Sequence, residues 1–116
     1  MYEYRGKVIK VVDADTLDIA LDLGFSHTWE VRFRLANIDA WEVRGEEREQ
    51  GLVAKEYVIE RLANMEGEYV VVKTYKDKTG KYGRYLADIF IPEKTGELVN
   101  LNEELVKLGH AKWASY

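Results

Sequence analysis

Three short polar clusters break a sequence whose apolar residues otherwise keep strict periods. Asp13-Ala14-Asp15-Thr16 opens one alternating run, Arg34 to Glu42 (RLANIDAWE) closes another, and Lys81-Tyr82-Gly83-Arg84 precedes a third. Counting back by twos from Ile19 and Leu17 puts Asp15 on the inward side of its strand. A carboxylate there must be paired, protonated or bound to a cation, because burying it bare costs roughly several kcal/mol. An Asp-x-Asp at a strand end also serves as a plain Asx-turn. In the second cluster a strand carries Arg34 and ends near Asp39, with Glu42 following in the loop. If the strands of Asp15 and Asp39 are antiparallel neighbours with matched ends, the two carboxylates share a site. With a loop carbonyl and a further acid they make the hard-oxygen set that calcium takes. The bland alternative is a solvated loop with an Arg–Glu ion pair. In the third cluster Gly83 permits a positive φ and Arg84 projects from the strand start, a place where arginine is often ordinary surface.

The three clusters have one use in common. Hydrolysis of a phosphodiester needs a cation to gather negative oxygens, a base for water, and guanidinium groups to hold the pentacoordinate phosphate. Arginine suits that hold better than lysine because its planar fork donates two parallel hydrogen bonds. Asp15 and Asp39, Glu42, and Arg34 with Arg84 complete the set.

The elements that must position these residues follow from hydrophobic period. GKVIKVV (6–12) is β-branched and reads as a strand. In 16–23 Leu17, Ile19, Leu21 and Leu23 face one way while Thr16, Asp18, Ala20 and Asp22 face the other. After a turn at 24–27, Val31, Phe33 and Leu35 alternate with Arg32 and Arg34. Between about Arg48 and Met65 the period becomes helical, with Leu52, Ile59 and Leu62 as the stripe, supported by Val58 and Ala54, and Gly67 as the stop. Strands return at 68–74 and 84–91, with a turn from Pro92 to Gly96. A final helix is capped by Asn100, with Glu103 as reciprocal partner, Leu101, Leu105 and Leu108 as apolar stripe, and Gly109 as the left-handed stop. The order β-β-β-α-β-β-α suggests a five-stranded closed barrel of the oligonucleotide-binding (OB) type, with an open α+β sheet as the alternative.

In this order the motifs VVDADTL (11–17), FRLANIDAWE (33–42), KYGR (81–84) and LNEELVKLGHAKW (101–113) resemble the staphylococcal nuclease (thermonuclease) family, over nearly the whole chain. The resemblance implies an OB-fold barrel and calcium-dependent hydrolysis of DNA or RNA that leaves 3′-phosphate ends. By position it makes Asp15 and Asp39 the calcium carboxylates and Ala40 the source of a backbone carbonyl ligand. It makes Glu42 the general base or orienter of water, and Arg34 and Arg84 the phosphate-binding pair. Asp13 matches an acid of secondary importance, and Lys81 and Tyr82 match positions bordering the nucleotide. The chain departs from the family pattern at Trp41, which stands where proline is usual and so removes a rigid joint from the Glu42 loop. The alternative reading is a noncatalytic module that holds single strands through Tyr82, Trp113 and the hairpin lysines.

Composition bounds the rest. The 116 residues fit one domain, 47% hydrophobic and 33% charged, with a single proline. Zero cysteines exclude disulfides and thiol catalysis, and His27 and His110 as the only histidines argue against zinc. The net charge of −4 argues mildly against indiscriminate nucleic-acid binding. It is spread unevenly, because Glu46, Glu47, Glu49, Glu56 and Glu60 crowd one stretch, whereas Lys73, Lys76, Lys78, Lys81 and Arg84 crowd another. No apolar run approaches the roughly 20 residues of a membrane span, so no membrane partner is expected. A monomer is expected. The start MYEYRGKVIK lacks an apolar signal core, which favours the cytoplasm, and secretion stays open if a leader has been removed.

Overall fold

The computed structural model describes residues 2–79 and 85–114, with the backbone alone for 76–79. Its elements are β1 (Tyr2–Asp13), β2 (Thr16–Asp22), β3 (Thr28–Leu35), β4 (Ile38–Ala40), a 3-10 turn (Gly45–Glu47), α1 (Arg48–Ala63), β5 (Val70–Thr79), β6 (Tyr85–Pro92), β7 (Leu98–Asn100), α2 (Leu101–Lys107) and β8 (Ala111–Trp113). β1, β2 and β3 form an antiparallel meander, β1 also pairs with β5, and β5 pairs with β6. A parallel pairing of β3 with β6, from Phe33 opposite Tyr85 to Leu35 opposite Ala87, joins the two ends of this sheet. Those five strands therefore close into a mixed barrel of the OB type, and the open-sheet alternative falls. Closure removes sheet edges, and Leu17, Ile19, Phe33, Leu35, Val72 and Ile89 fill the interior with no exposed surface or almost none.

Several expectations need correction. The strand that carries Arg34 does not run on to Asp39. It stops at Leu35, the chain turns through Ala36-Asn37 with Asn37 at φ 62°, and Asp39 belongs to the separate strand β4. Asparagine is among the few residues that tolerate this left-handed backbone. β4 pairs with β8, and β7 with β6. Strands of three residues are too short to display a period of two, which is why the sequence does not announce them. Leu23 falls beyond the end of β2 and is exposed, whereas Thr16, assigned to the outer face, is buried.

The helices are where expected, but α1 presents a different face. Its buried residues are Gly51, Ala54 and Val58, Leu62 is partly buried, and Leu52 and Ile59 are exposed. The smallest side chains face inward because the helix backbone comes very close to the loop beneath it. Asn100 caps α2 as expected, accepting the Glu103 N–H at 3.2 Å. The helix stops at a Schellman turn: Gly109 (φ 82°) donates its N–H to Val106 O at 3.1 Å, and His110 donates to Leu105 O at 2.8 Å. Leu108 falls at that stop and is exposed rather than part of the stripe.

Buried polar groups fasten the helices to the barrel. Asn102 Nδ2 shares its hydrogens among Ala36 O, Ala87 O and Asp88 Oδ1, each at 3.1 Å, while its Oδ1 accepts Ile89 N–H at 3.2 Å. One side chain of α2 thus holds the exit of β3 against β6. Between the helices, Arg61 reaches Glu93 and donates to Glu104 at 2.8 Å, and the Tyr57 hydroxyl donates to the same Glu104 oxygen. Burial alone would depress the Arg61 pKa, but its hydrogen bonds to Glu104 and Glu93 raise it.

Asn102→Leu keeps the volume and leaves buried carbonyls and an N–H unpaired, so stability should fall by about 1–3 kcal/mol or more. Urea unfolding checks this, and an unchanged midpoint would mean that α2 docks through its leucines alone. Burial, with help from carboxylates, pushes Tyr57 and Tyr75 up to about 12; Tyr75 donates to Asp88 at 2.6 Å. Both folded-state values lie above the unfolded tyrosine value near ~10. Their contribution to stability is therefore complete below pH ~10 and is lost as pH rises toward about 12. The double variant Tyr57→Phe, Tyr75→Phe should lose less of its melting temperature than wild type across that window.

Candidate active site

The site grows out of the β2–β3 ladder. Ala14 and Asp15 form the two-residue turn between β1 and β2, bracketed by the pair Asp13–Thr16, and Thr16 in turn lies opposite Arg34. Leu35 donates its N–H to Asp15 O at 2.8 Å, which locks the turn to the end of β3. The Asp15 carboxylate then works across the fold rather than within its own turn. Its Oδ2 accepts the Ala40 N–H at 3.0 Å, and its Oδ1 accepts the Thr16 hydroxyl at 3.2 Å. A plain Asx-turn would not reach 25 residues along the chain.

Arg34 is the centre of the arrangement. Its side chain is only 8% exposed, although it projects from the outer face of β3. Nη2 donates to Ile38 O and to Asp39 Oδ1, both at 2.9 Å, and stands 3.4 Å from Asp15 Oδ2. An Nη nitrogen carries two hydrogens, so the contact with Asp15 is chiefly electrostatic. Asp15 is nearly buried, while the Asp39 side chain is 47% exposed. The two carboxylates thus converge on one guanidinium nitrogen, Asp15 from the β1–β2 turn and Asp39 from β4, with one side open to water. Beside this cluster Arg32 grips Asp18 through two hydrogen bonds of 2.7 and 3.0 Å. That bond, above all, lowers the Asp18 pKa and raises the Arg32 pKa. Asp13 is half-buried at the end of β1.

Ala40 contributes its N–H to Asp15, in addition to whatever its carbonyl holds. Glu42 lies in the loop after β4 with an exposed side chain, and its N–H donates to Glu47 Oε1 at 3.1 Å. Among the described residues no group of three or more His, Cys, Asp or Glu side chains is gathered in metal-binding proximity. The structure therefore brings Asp15, Asp39 and Arg34 together but does not draw the Glu42 carboxylate in with them. Lys81, Tyr82 and Arg84 lie outside the described residues. Trp113 stands opposite Ile38 in the β4–β8 ribbon and is 59% exposed.

The loop carrying Glu42 is held by residues that the motifs do not reveal. Trp41 does not leave the loop loose: its indole N–H donates to Gly109 O at 2.8 Å and Lys112 Nζ lies 5.9 Å from the ring centroid. Gly51 matters more. A Cβ built on it would lie 2.0 Å from Glu42 O and 2.7 Å from Val43 N, so the Glu42–Val43 peptide rests directly on the α1 backbone. A glycine in the first turns of a helix, against its propensity, is the signal by which the sequence could have shown this contact.

A closed OB-type barrel with a buried arginine between two carboxylates at the end of its third strand defines a class of small proteins built around a charged site on the barrel wall. The family model described as staphylococcal nuclease homologue matches residues 32–116, and the chain belongs to that family. Among its relatives, an uncharacterized protein of Methanocaldococcus jannaschii is 33% identical over 128 aligned positions, covering 94% of this chain. A protein named ParB from Escherichia coli is 33% identical over 116 positions, covering 97% of this chain. The chain spans 58% of the length of each. Among the described residues no helix is long and apolar enough to cross a membrane.

Gly51→Ala separates helix propensity from the loop contact. In an open helix alanine would stabilise by about 1 kcal/mol. Here it must displace the Glu42–Val43 peptide, so the melting temperature should fall and the Glu42 amide should exchange faster as its bond to Glu47 is lost. A raised melting temperature would mean that the loop does not rest on this helix.

Proposed function

We propose that this chain is a calcium-dependent nuclease that hydrolyses phosphodiester bonds of DNA or RNA and leaves 3′-phosphate ends. The observation that carries the reading is the convergence of Asp15 and Asp39 on Nη2 of the Arg34 guanidinium. A pair of hard oxygen donors already arranged about one cation suits calcium, and Asp15, Asp39 and the Ala40 carbonyl would hold it. Calcium, when bound, gathers phosphoryl oxygens and neutralises charge that develops in the transition state. Arg34 and Arg84 bind the phosphoryl oxygens, and Asp13 adds negative charge beside Asp15. Glu42 accepts a proton from the attacking water or orients it, Lys81 and Tyr82 border the nucleotide, and Trp113, opposite Ile38 in the β4–β8 ribbon, offers an exposed ring. For Glu42 to act, substrate must bring water within hydrogen-bond reach of its carboxylate, which apo geometry often leaves loose.

A second reading has one observation in its favour. The Glu42 carboxylate is exposed and outside the acidic pair, as in a module that holds single strands without cutting them. Digestion of plasmid, single-stranded DNA and RNA, each with calcium and with chelator, decides between the two. We expect cleavage in calcium only, a fall of ~10²–10⁴-fold in Glu42→Gln, and a comparable loss in Arg84→Lys, which keeps charge but not the two-pronged donor. Calcium should also raise the melting temperature of wild type and not of Asp39→Ala. Binding without cleavage in calcium would establish the noncatalytic module.

A further inference from the structure

The barrel has a second feature, in addition to the acidic pair, that the site assignments above do not use. At the end where β2 turns into β3 the interior stays open as a pocket of about 210 Å³. Six of its lining residues are aromatic: Tyr2, Tyr4, Trp29, Phe33, Tyr75 and Tyr85. A barrel that needed only a plug would close on aliphatic side chains, as this one does at its centre. Here Trp29 and Tyr85 meet edge to face, with centroids 6.1 Å apart and planes at 70°, and both rings remain partly in water. Tyr2 is half-exposed beside them.

The turn at this mouth is strained in the same direction. Phe25 (φ 53°) and Ser26 (φ 64°) adopt left-handed backbone without being glycine. Such a residue costs on the order of 1–3 kcal/mol and persists where the surroundings over-determine it. Leu23 N–H to His27 O, His27 N–H to Gly24 O, and Gly24 N–H to Asp22 Oδ1, each 2.9 Å, hold the turn closed. The outcome is a phenyl ring 97% exposed in the turn that joins the pocket residues Leu23 and Trp29.

We infer that the barrel mouth is a stacking pocket for one unpaired base of a single-stranded nucleic acid. Charge and continuity favour this occupant. Two walls of the pocket, Tyr75 and Tyr85, bracket a stretch of chain that is strongly basic by sequence: residues 76–84 hold four cations and one acid, in a chain whose net charge is −4. A polyanion is the partner that such a local reversal suits. Phe33 and Tyr85 are paired neighbours, and each is adjacent in sequence to one of the arginines assigned to phosphate, Arg34 and Arg84. Aromatic faces accept any base, and only an unpaired base has a face to offer, so the pocket selects single strands without selecting sequence. A duplex keeps its bases stacked and gains nothing from it. The inference deepens the nuclease reading by naming its substrate class, and it also stands with the noncatalytic alternative.

The test is binding, measured in chelator so that no cleavage intervenes. The probes are a fluorescently labelled oligothymidylate, the same length of abasic phosphodiester, and a duplex of equal length. Wild type should bind oligothymidylate roughly tenfold or more tightly than the abasic strand. Trp29→Ala and Tyr85→Ala should each lose most of that preference, Trp29→Phe should restore it, and abasic binding should not move. Phe25→Ala, at a fully solvated position that cannot unfold the barrel, should lose a smaller part. Unchanged oligothymidylate binding in folded Trp29→Ala and Tyr85→Ala overturns the inference, as does equal wild-type affinity for the abasic strand, or tighter binding of the duplex. The nuclease reading fails separately, if wild type shows the base preference in chelator yet cuts nothing in calcium.

Discussion

A guanidinium with almost no solvent exposure has to be answered by acceptors, and the region around Arg34 is built to supply them. Ile38 offers a carbonyl, Asp39 a carboxylate at 2.9 Å, and Asp15 a second carboxylate at 3.4 Å. They come from two pieces of chain, the turn before β2 and the strand β4, while Arg34 itself stands at the end of β3. Arg34 and Asp15 lie where little water reaches, so removing either would strand a buried charge, which costs far more than the pair itself returns. The cluster thus specifies how the β1–β2 turn, the β3 exit and the β4–β8 ribbon fit together. The same arrangement holds two carboxylates close enough for a shared cation, so folding and proposed chemistry draw on one set of contacts.

Around that cluster the support is largely backbone. Asn102 ties the residue after β3 to β6 from the opposite side, and Gly51 lets α1 lie against the Glu42–Val43 peptide. Trp41, in place of a rigid proline, anchors the residue before Glu42 to Gly109 O. The backbone around Glu42 is therefore held while its carboxylate stays in water. Such a loop suits a group that must meet substrate and solvent together.

The chain is acidic overall, yet its charge is segregated. Glutamates line the α1 region and cations the stretch from Lys73 to Arg84. Two carboxylates at the site also account for part of the acidity, and there Arg34 offsets one of the two charges. Net charge therefore says little about what this surface attracts, because fields act over roughly a Debye length of ~8–10 Å rather than over the whole molecule. The aromatic mouth and the acidic pair on the barrel wall are distinct surfaces, both reached by β3.

The OB-type barrel is one of two architectures that the element order suggests, and motif resemblance rather than period groups Asp15, Asp39 and Arg34. Period and punctuation in the sequence already determine the main strands, both helices, the Asn100 cap and the Gly109 stop. These are legible because they rest on local rules: alternation of two, a stripe near 3.6, and the backbone freedom of particular residues. What only the tertiary structure decides is where elements meet. Strands of three residues, β4, β7 and β8, exist because a partner strand pairs with them, not because their own residues demand it. The inward face of α1 is set by how closely its backbone approaches Glu42, so Gly51 and Ala54 displace Leu52 and Ile59 from the core side. Asp15 finds its partner 25 residues away in Ala40, and Arg34 binds the aspartates rather than Glu42. No local rule encodes such distances, since they follow from barrel closure and from the need to pair every charge that closure buries.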